Sequence, residues 1–535
     1  MHKQTLISPS LIKTIAIAAA SLCCISAAGS CWNPDTGEGT YVNPIIHADY
    51  SDPDVIRVGD DYWMVASSFT CMPGIPVLHS TDLVNWEIVN HVYDRLPSSK
   101  YDRPAHGEGS WAPAIRYHDG LYYVYFCTPE DGLFVARATD PRGEWDLTQM
   151  LEVAKWEDPC PFWDDNGDAY LVHSIHRGGP AVLHRMTPDG MQLLDNGVTV
   201  YHDEEANPIL EGLKMYKRDG WYYIFAPAGG VETGWQTVLR SRDIYGPYEA
   251  RRVMHQGKSD INGPHQGGLT DTADSGEWWF VHFQSKGIHG RVVHLQPAAW
   301  TEDDWIIIGE DNDGDGIGTP VETYRKPRAK STAQTVPQTS DEFDQTIPSQ
   351  QWQWQSNPRS EWYSLTANPG HMRLYAISCP TEKGNLYYAG NLYLQKLPSS
   401  HYTATALVKP EFRATGERAG LITMGNSYSY IAVIKGESGI RAAVVTGKKD
   451  KYAVTPEEVA SVEIDECPVW LRSELISDHE CIYSYSLDGS EFFRLGPACE
   501  VTPGTWIGAK TGIFASSPNV VQGEGYADFD FFRIE

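Results

Sequence analysis

The sequence predicts an all-β chain, a five-bladed β-propeller followed by a β-sandwich. Three observations carry that prediction. A phrase of turn residues, aromatics and an apolar strand recurs five times before residue 326. No amphipathic helical pattern separates the copies, which excludes a parallel α/β fold. Beyond residue 340 the repeat gives way to short alternating segments without a long period.

The first 30 residues are read as a secretory signal. Lys3 and Lys13 precede an apolar run from Ile15 to Ile25, too short to span a membrane, and small residues follow at Ser26 to Ser30. Cys31 directly after Gly29-Ser30 resembles a bacterial lipoprotein cleavage site, although Ala28 stands where that motif usually has a larger aliphatic residue. Two readings stay open: a lipid anchor on Cys31, or plain cleavage nearby. Either implies an exported protein, periplasmic or at the cell surface.

Residues 31–325 hold the repeat. The copies open at Gly59-Asp60-Asp61-Tyr62-Trp63, Asp119-Gly120-Leu121-Tyr122-Tyr123, Asn166-Gly167-Asp168-Ala169-Tyr170, Asp219-Gly220-Trp221-Tyr222-Tyr223 and Ser275-Gly276-Glu277-Trp278-Trp279. Each is a hairpin turn feeding a strand rich in aromatic and β-branched residues. A second phrase, a polar turn followed by an aromatic, follows at Ser80-Thr81-Asp82 to Trp86, Thr139-Asp140 to Trp145 and Ser241-Arg242-Asp243 to Tyr248. A period of roughly 50–60 residues, with about four strands in each, is the signature of propeller blades.

Residues 326–340 are basic, polar and aperiodic, a linker. Residues 341–535 alternate in short segments such as Ile431-Ala432-Val433-Ile434 and Tyr526-Ala527-Asp528-Phe529, as a β-sandwich requires. Of ten cysteines, seven lie beyond Cys31, without metal-ligand spacing, and are read mainly as small buried hydrophobes.

Composition narrows the function. With 42 basic and 70 acidic residues, the net charge of −28 argues against a nucleic-acid partner, since nothing here neutralises a row of phosphates. The 18 Trp and 29 Tyr residues suit sugar faces and β-rich cores alike.

Three acids enter different blades. Asp52 precedes the first, Asp158 heads the third and Glu211 heads the fourth. A lone Asp-Pro or Glu-Gly is commonly a turn, but three carboxylates meeting at one channel mouth supply what glycoside hydrolysis needs. Asn43-Pro44-Ile45 through Asp52-Pro53, Ser67-Ser68-Phe69, Pro73-Gly74-Ile75-Pro76, Trp111-Ala112-Pro113, Leu210-Glu211-Gly212, Gly263-Pro264-His265 and Gly290-Arg291, in that order, resemble glycoside hydrolase family 43. Asp341-Glu342-Phe343-Asp344 and Trp352-Gln353-Trp354 resemble the concanavalin A-like sandwich of its β-xylosidase-type members.

The resemblance implies an inverting exo-glycosidase. It would remove a terminal α-L-arabinofuranose or β-D-xylose from plant hemicellulose such as arabinoxylan or xyloglucan, or from derived oligosaccharides. It assigns Asp52 as general base, Glu211 as general acid and Asp158 as the group that raises the pKa of Glu211. Phe69 and Trp111 would wall the terminal sugar and Arg291 would bond its hydroxyls. His265 would contact a calcium ion or its water. Asp54 beside Asp52 and Glu157 beside Asp158 are additional carboxylates that leave the choice within each pair to the alignment.

No cofactor is required by this reading, and a structural calcium is entertained at two further places. Asp311-Asn312-Asp313-Gly314-Asp315-Gly316, with Glu322 twelfth in line, mimics a calcium loop, although Pro320 and the lack of helical flanks favour a solvated turn. In the sandwich, Asp341 or Glu342 with Asp528 could hold an ion. Two readings of another class are a non-catalytic carbohydrate-binding propeller, which could lose an acid freely, and a surface scaffold whose sandwich is the functional module.

Overall fold

The computed structural model describes residues 32–328, 334–381, 384–450, 456–465, 467–518 and 525–535. The signal and the Cys31 anchor lie outside the described residues. The chain is all-β, a propeller of five four-stranded antiparallel blades followed by a sandwich of two eight-stranded sheets.

The innermost strands of blades I to V are Asp54–Val58, Trp111–His118, Trp156–Trp163, Lys214–Arg218 and His265–Asp271. The repeated phrase forms the hairpin between first and second strands. Its turns at Asp119-Gly120 and Asp219-Gly220 put both residues at positive φ, the geometry that matches strand twist. The second phrase turns the chain between third and fourth strands. In blade I the Asp82 carboxylate accepts the Val84 and Asn85 N–H groups at 3.0 and 2.8 Å.

Apolar faces pack between blades. Trp63 and Val77 meet Ile115 and Val124 between I and II, and Tyr123 and Val135 meet Leu171 between II and III. Val172 meets Ile224, and Phe225 meets Phe280, across the next two seams. Val55 and Met64 meet Trp279 and Val293, so blade V closes on blade I. The strand Thr40–Val42 pairs with Thr323–Arg325, joining the two ends of the propeller chain. Six of the seven cysteines beyond Cys31 are buried and none is disulfide-bonded; Cys467 is exposed.

The sandwich core lies between its sheets, around Trp352, Leu421, Tyr483 and Phe529. Two of the three acids offered there for calcium are paired with arginine. Asp528 accepts two bonds from the Arg373 guanidinium (2.7 and 2.9 Å), Glu342 two from Arg533 (both 2.7 Å), and Asp341 one from Trp352 Nε1 (2.8 Å). Asp528, common to both sets considered for an ion, is thus committed to an arginine. In the turn at residues 311–316, Asp311 accepts the Gly314 and Gly316 N–H groups, and Asp313 and Asp315 are exposed.

The sandwich docks on the propeller. Met72 and Trp354 exchange backbone bonds of 2.9 and 2.6 Å. The buried Asn357 amide accepts from Leu96 N–H and donates to the Leu96 carbonyl, both at 3.0 Å. His106 stacks on Tyr387 with ring centroids 4.0 Å apart. The linker is pinned too: Lys326 pairs with Asp35 and Asp82, and Gln395 donates to the Thr339 carbonyl.

Candidate active site

One pocket of about 490 Å³ opens where the innermost strands begin. Asp52, Phe69, Trp111, Asp158, Glu211 and Arg291 all line it, together with Ala112, Glu157, His176, Arg177, Ile209, Gly230, Val231, Gln266 and Trp506. Adjacent residues of a strand normally point to opposite faces, so a cluster this dense needs unusual backbone. Register shifts interrupt the starts of innermost strands II, III and V, at Trp111/Ala114, Glu157/Cys160 and His265/Gly267. Among the described residues, 15 non-glycine residues have positive φ, and eight of them line this pocket: Asp52, Phe69, Ala112, Asp158, Arg177, Ile209, Gln266 and Trp506. Bulges and left-handed residues re-aim side chains, at a cost that the surrounding fold must offset.

Asp52 is buried and held at both oxygens. Ser67 Oγ donates to Oδ2 at 2.6 Å and itself accepts the Ala112 N–H at 2.7 Å. Arg291 Nη1 donates to Oδ1 at 2.8 Å. Asp54 points elsewhere: fully buried, it accepts from Arg116 and from the Ile115 N–H. Geometry therefore decides between the two aspartates, and only Asp52 faces the pocket.

Asp158 accepts the Gly212 N–H at 2.5 Å, with Ser174 Oγ and Gln266 Nε2 each at 3.4 Å. Gly212 has φ +65°, and a Cβ there would fall 2.4 Å from Gln266 Cγ, so the Glu-Gly dipeptide is required by close approach. Glu211 Oε1 lies 2.7 Å from His265 Nε2. Carboxylate oxygens of Glu157, Asp158 and Glu211 come within 4.8 Å of one another.

Three acids this close cannot all ionise freely. Burial, then the neighbouring Glu157 and Glu211, pushes the Asp158 carboxyl well above the usual range. Burial, then Glu211, pushes Glu157 up to about 7. For Glu211 burial also acts upward, but the His265 contact, with Arg291 and His176, outweighs it and holds the carboxyl below its ordinary value. This differs from the expected raising of Glu211 by Asp158. In the free pocket the proton affinity resides on the more deeply buried Asp158, and the charge stays where the cations are.

Phe69 and Trp111 meet at 6.2 Å between centroids, and Trp111 lies 5.6 Å from the His176 ring. The Arg291 N–H and the Gly508 N–H both donate to Asp49, at 2.9 Å each. A Cβ on Gly290 would strike Asp49 and Gly508 at 2.4 and 2.5 Å, which explains the Gly-Arg pair. Asp49 thus ties Arg291 to the sandwich loop carrying Trp506, which is 54% exposed at the pocket.

His265 sits behind Glu211, fully buried, with Nδ1 unpartnered. Calcium takes six to eight oxygen ligands. The ring spends Nε2 on Glu211, and among the described residues no group of three or more ligating side chains includes it. The contact that the structure shows for His265 is thus the one to Glu211 through Nε2, with Nδ1 free of protein partners.

The site residues that sequence reasoning missed are Ser67, His176, Gln266 and Trp506. Ser67 stood inside a quoted motif without a role, and Trp506 carried no signal beyond a lone aromatic in a loop.

Comparison with known proteins agrees with this architecture. Residues 41–306 match the family described as Glycosyl hydrolases family 43, and residues 340–535 match the Beta xylosidase C-terminal Concanavalin A-like domain. A putative beta-xylosidase of Xylanibacter ruminicola is 42% identical over 488 residues, covering 90% of this chain and 87% of that protein. A non-reducing end alpha-L-arabinofuranosidase of Bacteroides ovatus is 29% identical over 94% of this chain and 96% of its own. A solved family 43 structure, BlXynB of Bacillus licheniformis, superposes with a TM-score of 0.80 at 25% identity, covering 92% of this chain and 99% of that one. With family, fold and an acid-lined pocket in agreement, the chain belongs to glycosyl hydrolase family 43.

Proposed function

We propose that this glycoside hydrolase is an inverting exo-β-D-xylosidase acting on the non-reducing ends of plant hemicellulose or its oligosaccharides. The observation that carries the reading is the meeting of Asp52, Asp158 and Glu211, from three blades, in one aromatic-walled pocket. Asp52, fixed by Ser67 and Arg291, takes the proton of the attacking water. Glu211 protonates the leaving oxygen. A bound sugar excludes water, and burial already acts upward on Glu211, so occupancy favours its protonated form. Asp158 holds the Gly212 N–H and with it the residue next to the acid. Phe69 and Trp111 offer faces to the sugar C–H groups.

Trp506 supports exo action, since it brings the sandwich to the pocket mouth and narrows it for a chain end. The name of the 42% identical relative favours xylose. The arabinofuranosidase relative supports a second reading, release of α-L-arabinofuranose by the same groups. Hydrolysis of paired aryl β-D-xyloside and aryl α-L-arabinofuranoside tests both: a higher kcat/KM on the xyloside is expected, and no activity on either would sink the enzymatic reading. The apolar run at Ile15–Ile25 supports export, to the periplasm or the cell surface. Fractionation of cells carrying the native protein and Cys31→Ser would show whether a lipid anchor retains it.

A further inference from the structure

Glu157 and Asp158 are consecutive residues of one strand, yet both carboxyls enter the same pocket. The left-handed backbone at Asp158 (φ +57°) and the register shift between Glu157 and Cys160 make that possible. Asp158 is committed to Gly212, Ser174 and Gln266. Glu157 is held separately, 2.9 Å from His176 Nδ1 and accepting the Arg177 N–H at 3.1 Å. Its carboxylate shares the 4.8 Å cluster with Glu211. A second buried acid, individually supported and aimed at the catalytic carboxyl, serves no packing purpose, because a neutral side chain would fill the space at lower desolvation cost.

On the reading of Glu211 as the acid, we propose that Glu157 is a positioning residue whose charge, held by His176, keeps the proton on Glu211 as the pH rises. Ionisation of Glu157 places a negative charge beside Glu211, and a like charge raises the proton affinity of its neighbour. Its own upward displacement to about 7 has burial and then Glu211 as its causes, which is the same coupling seen from the other side. With substrate bound, where occupancy protonates Glu211, an ionised Glu157 delays loss of that proton, and a neutral Glu157 does not. The other groups facing the trio are Asp52 across the pocket, the buried Cys127 thiol, the His265 imidazole, and the cations Arg177, Arg291 and Lys214. All are retained in the test.

The experiment is the pH dependence of kcat for the full chain, at saturating aryl pentoside whose leaving group needs a proton, because kcat reports the occupied site. Glu157→Gln keeps the shape and the acceptor toward His176 and loses only the charge. Its basic limb should move to lower pH by about 0.5–1 unit, while the acid limb stays and the plateau rate remains within about 3-fold. Glu157→Asp, which restores the charge, should bring the limb most of the way back, and Glu157→Leu should repeat the Gln shift. An unmoved basic limb in Glu157→Gln, or a uniform loss of rate at every pH, overturns the proposal. Failure of both the Gln and Leu variants to accumulate as folded protein also overturns it, by showing a structural role. Glu211→Gln separates this from the underlying reading. If that variant retains the basic limb, the acid is misassigned. If it loses the limb while Glu157→Gln does not move it, only the present proposal falls.

Discussion

At Asp52 and Glu211, the opposite duties proposed for two carboxylates of one pocket rest on different partners. Asp52 is tied to a guanidinium and a hydroxyl, so it is presented to water as a fixed acceptor. Glu211 is tied to an imidazole that holds its carboxyl low in the free site. Glu211→Gln should lose about 10²–10⁴-fold on natural xylosides, where the leaving oxygen needs a proton, yet retain much of its rate on a dinitrophenyl glycoside. Asp52→Asn should be severely impaired on both, since each turnover needs activated water. Equal loss of Glu211→Gln on both substrates would remove its assignment as acid. The His265 contact gives a prediction of opposite sign to that for Glu157. His265→Phe removes the interaction that lowers the Glu211 pKa, so the pKa rises and the basic limb moves to higher pH, by about one unit. A pH–rate profile with an unchanged basic limb would show that the contact is only packing.

Strand starts and loops, as elements, set where the groups point. The bulged openings of blades II, III and V put successive residues on one face, and the loop ending at Gly508 is anchored to Asp49, the same carboxylate that holds the Arg291 N–H. Trp506, exposed on that loop, contributes ring area at the mouth without supporting the core. Trp506→Ala should therefore leave stability and kcat on small aryl glycosides unchanged. It should raise KM for xylo-oligosaccharides by about 2–10-fold, the range of one aromatic contact worth about 0.5–1.5 kcal/mol. The comparison of KM on the two substrate sizes checks it, and an equal effect on both would place Trp506 against the terminal sugar instead.

As a whole molecule, the propeller and the sandwich behave as one unit. Backbone exchange between Met72 and Trp354, the Asn357 amide on Leu96, and the Ala509 N–H on the Ile288 carbonyl span the junction. Removal of the sandwich would uncover the partners of these bonds and the apolar side chain of Ile288, which packs in the sandwich core. A chain ending at Arg328 should aggregate or lose most of its activity, read by size-exclusion chromatography and by rate on an aryl xyloside. A monodisperse, fully active propeller would contradict this.

What was legible in the sequence was whatever repeats or rests on local chemistry. The five hairpin phrases announce blades because turn residues and strand-forming aromatics act on their nearest neighbours. The acids at blade heads were visible because propeller strands start at a common channel. The order of the motifs identified the family. Tertiary structure alone decided which of Asp52 and Asp54 faces the pocket, since that depends on one left-handed residue and on Arg116 lying across from Asp54. It alone showed Glu157 beside Glu211, because a strand's alternation predicts that neighbours diverge and only a bulge makes them converge. It alone brought Trp506 to the mouth from more than 200 residues beyond Arg291. It also paired Asp528 and Glu342 of the sandwich with arginines. The reason is common to all four: a side chain's charge and role are set by the groups that other strands bring within hydrogen-bond reach, and those distances are not written along the chain.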